Sequence, residues 1–335
     1  RKLVPITAAS YATCFISHFC MNMFNQMTEE IKKDNFSTMN DLHVLISSLK
    51  AYFMDDDISA LYQLRECQGG HGYHSLANIP GWLEAWSPNV TLEGDGFVLY
   101  QQTARKLFKI LKAVQKGKTV NKILYPYMEQ VDKVVGLKEV SKEITCAYKL
   151  SEVLRVALSH QLLQIAQSLE THTEHSFDAK WNKIHQIDIA KVARLHGIYL
   201  TSISFIQSIE KFKTDKKTIA VMTDLCKVFI TEMIIKFGEA ALINNYITGE
   251  QMAGINSYHN DLIDSLKPHV VSLVECQIIH EAMAQGTTLS NMDDDYATKL
   301  YERAAFSSLN NTQKLESIDT DLKPLARKLT NFAKI

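Results

Sequence analysis

Two short stretches of this 335-residue chain carry residue types at spacings that chemistry can use. The first is Thr91-Leu92-Glu93-Gly94-Asp95-Gly96, a carboxylate on a glycine-flanked turn just ahead of a helical pattern. It follows the apolar, proline-bearing run Trp82 to Val90. Aromatic cover would desolvate Glu93 and favour proton uptake, as a general base needs. The same position suits a helix cap, where an acidic residue offsets the unpaired N–H groups and the helix dipole. Asp95 fits the capping role equally well, and the dipole opposes the effect of desolvation. The residues alone leave both roles open for Glu93.

The second stretch is Gln68-Gly69-Gly70-His71-Gly72-Tyr73. Six of the chain's 13 glycines fall between Arg65 and Arg105, inside an otherwise helical pattern. Glycine allows positive φ and close approach of backbone to a ligand or another chain, so this segment reads as irregular structure held in a defined shape. Cys67, His71 and His74 offer three zinc-ligand types without a clear fourth, a poor structural site, and no metal is expected. GxxxxGK[ST], GxSxG and HExxH are absent; His280-Glu281 is followed by Ala284 where a second histidine would be needed. His172 and His175 lie in a polar turn and read as solvated.

The elements that must position these stretches are helices. Leu3, Ile6, Tyr11, Phe15, Phe19, Met23 and Met27 predict a helix over 3–33. A second runs from Asp41 to about Gln68, with Leu42, Leu45, Leu49, Phe53, Ile58 and Leu61 inward. A third spans Phe97 to Lys116. Later helices are expected at about 144–170, 180–213, 217–247, 250–283, 293–305 and 312–333, with Pro268 interrupting the fourth of these. No βαβ alternation or tandem repeat occurs. The expected fold is all-α, two consecutive helical bundles: 1–120, a polar linker at 121–143 with Pro126 and Gly136, and 144–335. The formal net charge of -1 argues against a nucleic-acid partner. Charges interrupt the most apolar windows, so no membrane span is expected. Six scattered cysteines without a CxxC pair read as buried free thiols in a reducing compartment.

The glycine segment and the Glu93 turn together resemble the acyl-CoA oxidases, flavoenzymes of the acyl-CoA dehydrogenase superfamily. That family carries a CGGHGY-like segment, a Leu/Ile-Pro spacer, a Glu-Gly turn and a helix ending Gln-x-Ala-Arg. Here these are Gln68 to Tyr73, Ile79-Pro80, Thr91 to Gly96, and Gln102-Thr103-Ala104-Arg105. Lys2-Leu3-Val4-Pro5, Ala147-Tyr148-Lys149-Leu150 and Tyr301 to Asn310 extend the likeness over nearly the whole chain.

The resemblance implies the C-terminal half of an FAD-dependent oxidase of fatty acyl-CoA, with O2 as electron acceptor and hydrogen peroxide as product. It implies Glu93 as the base that takes the α-proton. It implies FAD held in part by Gly69, Gly70, His71, Asp95 and Gly96, and a homodimer in which the glycine segment serves the neighbouring subunit. A peroxisomal address fits the family and the C-terminal Ala333-Lys334-Ile335; mitochondrion and cytoplasm are the alternatives. Gly96 stands where the family has Asn, Phe97 where Thr or Val is common, and Glu66 where related dehydrogenases have Gln. The family's N-terminal helical domain and middle β-domain have no counterpart in these 335 residues, so this stretch by itself is expected not to catalyse. The rival readings are an all-helical scaffold or interaction subunit of the same fold, and a dehydrogenase with a protein electron acceptor.

Overall fold

A computed structural model describes residues 1–171, 175–277, 295–307, 310 and 318–332. Among them there is no strand. Twelve helices are labelled here: α1 Leu3–Ile31, α2 Ser37–Cys67, α3 Ile79–Trp86, α4 Gly96–Gln115, α5 Ala147–Thr171 and α6 Gln186–Glu210. They continue as α7 Lys216–Phe237, α8 Glu239–Ile243, α9 Gly249–Leu266, α10 Val270–Glu275, α11 Tyr296–Ala305 and α12 Lys323–Phe332. His172, His280, Glu281 and the C-terminal Ala333-Lys334-Ile335 lie outside the described residues; His175 is exposed.

The helix ends follow local chemistry. Thr248 and Gln251 form a reciprocal capping box at the start of α9. The Asp215 carboxylate accepts from the Thr218 amide at the start of α7. Pro268 falls in a 3-10 turn, Lys267–His269, which separates α9 from α10 as expected.

The chain divides into two compact units. One holds Arg1–Gln63 and Ala85–Gln277; the other holds Leu64–Glu84 and the C-terminal stretch after Gln277. The first unit is built on α6, which packs against α1, α4, α5 and α7. Ile189, Val192, Leu195, Ile198, Leu200 and Phe205 are all buried and cover most of the helix circumference, with buried Thr201 on the remaining side. A helix apolar all round belongs in a core.

The compact units do not divide at 121–143. Leu124, Tyr125, Tyr127, Met128, Val131 and Val134 are buried, and Met128–Val134 forms a 3-10 helix. The Tyr127 hydroxyl pairs with Nδ1 of buried His196 on α6 at 2.9 Å, and the Glu139 amide donates to the Tyr246 carbonyl. So the stretch that reads as a polar linker is folded into the first unit's core. Its backbone groups are paired one by one, which leaves no periodic signal.

One further expectation changes. All six cysteines are free, but only Cys226 is buried; Cys14, Cys67, Cys146 and Cys276 are exposed and Cys20 is intermediate. The expectation of no membrane span is unchanged: among the described residues only α1 is long and apolar enough, by length and composition, to cross a membrane, a test that a core helix also passes. It packs against α6 and α7 through a face that includes Ala8, Ala12 and Ile16, but only 22% of its apolar window is buried within this chain. Met21 and Phe24, on the same helix, are among the exposed apolar side chains.

Candidate active-site turn

The Glu93 turn belongs to the first unit. A 3-10 turn, Ser87–Val90, follows α3 and places Pro88 at its second position. The Pro88 carbonyl accepts from the Thr91 amide at 3.0 Å, the Leu92 amide at 2.9 Å and the Thr91 hydroxyl at 3.1 Å. The chain then enters the left-handed region twice, at Glu93 (φ +61°) and Gly94 (φ +112°). Glycine takes such a conformation without penalty, but a residue with a Cβ pays about 1–2 kcal/mol.

Asp95 is the helix cap. It is extended (φ −62°, ψ 140°), and its carboxylate accepts from the Phe97 amide at 2.9 Å and the Val98 amide at 3.4 Å. The capping role that the residues left open between Asp95 and Glu93 thus falls to Asp95. Glu93 stands in a strained conformation with its side chain exposed. Among the described residues, no hydrogen bond or ion pair to its carboxylate is found.

Gly94 and Gly96 have different reasons to be glycine. A Cβ at Gly94 would lie 3.1 Å from a Leu99 methyl, in a backbone conformation that side chains rarely adopt. Gly96 is buried, and its added Cβ would sit 3.7 Å from Ala51 of α2, ordinary contact. Gly96 lets α4 start close to α2.

The turn is also tied to α2 through Lys50. Its ammonium donates to the Val90 carbonyl at 3.1 Å and to the Gly94 carbonyl at 2.5 Å. Three acidic residues follow on the same helix. Burial pushes the Asp55 and Asp56 carboxyls above their ordinary values; the main offsets are Arg194 for Asp55 and Lys236 for Asp56. Burial pushes Asp57 up to about 6, partly opposed by a hydrogen bond from the Trp86 indole. Lys50, Asp57 and Trp86 border a cavity of about 580 Å³ whose walls are Ile16, Cys20, Phe24, Leu49 and Phe53. Sequence reasoning missed Lys50 and Asp57. The only available signal was the Asp55-Asp56-Asp57 run inside an otherwise amphipathic helix.

The glycine segment belongs to the second unit. Gly69–Tyr73 is a 3-10 helix. Gly69 has φ +59°, and a Cβ at Gly72 would overlap the Arg65 carbonyl, so both are dictated from within. Gly70 is not: its φ is not positive, nothing lies within 4 Å of an added Cβ, and the residue is exposed. His71 is exposed too, and its carbonyl accepts from the His74 amide. The His74 ring accepts from the Leu76 amide at 3.1 Å, a local cap. No group of three or more metal-ligating side chains occurs among the described residues. Thus Glu93, Asp95 and Gly96 share one turn, while Gly69, Gly70 and His71 share another segment in the other unit.

Two family models match the chain. Residues 1–108 match the acyl-CoA oxidase C-alpha1 domain, and residues 146–327, more than half of the chain, match acyl-CoA oxidase. The chain belongs to the acyl-CoA oxidase family. The peroxisomal acyl-coenzyme A oxidase 1 of Rattus norvegicus is 29% identical over 348 residues, covering 98% of this chain and 50% of the rat protein. The corresponding Homo sapiens enzyme is 26% identical over 335 residues, with the same coverage. The chain therefore spans about half the length of the curated relatives it matches. Among solved structures, an acyl-CoA oxidase from tomato, Lycopersicon esculentum, superposes with TM-score 0.89 at 22% identity, over 97% of this chain and 49% of that one. Caenorhabditis elegans acyl-CoA oxidase-1, solved with FAD and ATP, gives 0.86 at 23% identity, over 98% and 49%. These superpositions match the helical fold of this chain to about half of each acyl-CoA oxidase structure.

Proposed function

We propose that this chain is the C-terminal half of an FAD-dependent acyl-CoA oxidase that converts fatty acyl-CoA to trans-2-enoyl-CoA and O2 to hydrogen peroxide. Glu93 is the base that removes the α-proton. The supporting observation is the division of labour in the turn: Asp95 caps α4, and Glu93 is held left-handed without a structural partner. Strain of that kind persists where the surroundings over-determine it, and it clusters at functional sites. A thioester α-proton is weakly acidic, so the base must be placed at hydrogen-bond range and desolvated when substrate is present.

Bound FAD would supply the hydride acceptance at the β-carbon and the electron transfer to oxygen. The residues that the family pattern assigns to it are Gly69, Gly70 and His71 in one unit, and Asp95 and Gly96 in the other. Gly70 is the informative one: with no internal reason to lack a side chain, its bare backbone suits close approach by a cofactor. The family-model limits at 108 and 146 support 1–120 and 144–335 as two sequence modules of the family, with 121–143 packed into the first unit's core between them. Relatives named as peroxisomal support a peroxisomal location. A homodimer is part of the same reading.

One observation favours a second reading, an inactive interaction subunit: Glu93 is exposed and does not line the cavity beside Lys50 and Asp57. Purifying the enzyme that contains this chain separates the two. Flavin absorbance, with peroxide formed in proportion to fatty acyl-CoA consumed under air, is the expected result. A colourless protein would leave the interaction subunit, and enoyl product without peroxide would indicate a dehydrogenase.

A further inference from the structure

We propose that Lys50 is a positioning residue for Glu93, holding the catalytic turn in its strained conformation by clamping both of its ends. The inference rests on the reading of Glu93 as the base. Lys50 lies on α2 between buried Leu49 and Ala51, so its backbone is fixed by the core of the first unit. Its ammonium reaches the Val90 carbonyl just before the turn and the Gly94 carbonyl just after Glu93. Residues 91–93 are thereby bracketed by two charge-assisted hydrogen bonds from a single group.

The choice of partner is informative. A lysine near Asp55 and Asp95 would ordinarily settle on a carboxylate. Lys50 and Asp95 both lie close enough to Asp55 to act on it electrostatically. Yet no carboxylate lies within ion-pair distance of Lys50 among the described residues; its hydrogen bonds go to main-chain oxygens. Asp95 is occupied with the α4 amides. The clamp works with two other anchors, the Asp95 cap and the close seat of Gly96 on Ala51. Those two fix residues 95 and 96. Lys50 alone among the three reaches back across Glu93 to residue 90. Without it, Glu93 can relax toward the right-handed region, and its carboxylate moves away from the position the turn imposes. A shift of about 1 Å in a reacting group lowers a rate by up to about 100-fold.

The test uses the flavin-loaded enzyme that contains this chain. Lys50→Met is expected to lower kcat by about 10–100-fold with little change in KM, and Lys50→Arg to recover part of the loss. Amide hydrogen exchange at residues 91–95, followed without substrate, is expected to accelerate in Lys50→Met, while exchange in the rest of α2 and the melting temperature stay close to wild type. In a Glu93→Gln background, Lys50→Met should add no further loss. Unchanged exchange at 91–95, or a kcat loss that is fully additive with Glu93→Gln, overturns the proposal. If Glu93→Gln keeps its turnover while Lys50→Met loosens the turn, the base assignment fails, and the positioning role of Lys50 falls with it.

Discussion

The Glu93 turn and the Gly69–Tyr73 segment both depart from helix, and they do so in opposite ways. At the Glu93 turn, constraints come from inside the chain and converge on the backbone on either side of Glu93. Pro88 collects three donors, Lys50 bridges two carbonyls, Asp95 caps α4, and Gly96 seats on Ala51. In the glycine segment the constraints stop at Gly69 and Gly72, and Gly70 presents open backbone. One region fixes the backbone on both sides of an exposed carboxylate; the other leaves main chain exposed. An enzyme that needs a placed base and a close-fitting cofactor calls for both.

Substitutions can break or sharpen that contrast, and the largest effect is expected at Gly72. A Cβ there collides with backbone, which cannot move aside as a flexible side chain would. Gly72→Ala should destabilise by about 3 kcal/mol, at the upper end for overpacking, read from urea unfolding. Gly70→Ala is the control, within about 0.5 kcal/mol of wild type but retaining flavin less well. Equal losses at the two positions would erase the distinction between internal and external constraint.

Asp57 gives the next effect, and it depends on pH. Its folded carboxyl is raised to about 6 from an ordinary 3.8. The folded state therefore holds a proton that the unfolded state releases, and stability falls as pH rises from about 4 to about 6. Asp57→Asn should remove this contribution and stabilise the protein at pH 7 by about 1–2 kcal/mol, after discounting for the partial exposure of the group. Equal stability of the two proteins across that pH window would show that Asp57 is well solvated.

The smallest effects separate the two carboxylates of the turn. Asp95→Ala should cost about 1 kcal/mol through loss of the cap. Glu93→Gly should instead raise stability by about 0.5–1 kcal/mol, because glycine occupies the left-handed region without strain, while turnover is lost. A stability gain paired with lost activity is the signature of strain kept for function.

How much of this could be read before the structure follows from where the information sits. The helices declared themselves through apolar residues at helical spacing, as in Leu3 to Met27, and Pro268 marked its own interruption. The Glu-Gly turn and the glycine segment were legible because glycine is costly inside helices and so conspicuous among them. The stretch 117–142 was not legible, since its order comes from single side chains such as Tyr127 meeting His196, distant in sequence. The Lys50 clamp was hidden for a related reason: its partners are carbonyl oxygens, which every residue possesses and no sequence pattern marks. Asp57 was visible as an acid, but its environment was set by Trp86 and burial, which only the fold supplies.

The most direct test of the account is the turnover of Glu93→Gln, measured beside its retention of flavin and of fatty acyl-CoA. The amide keeps the shape of the side chain and removes its capacity to take a proton. Turnover lower by about 100-fold or more, with both ligands still held, is the result the account predicts. Oxidation at close to the wild-type rate would contradict it.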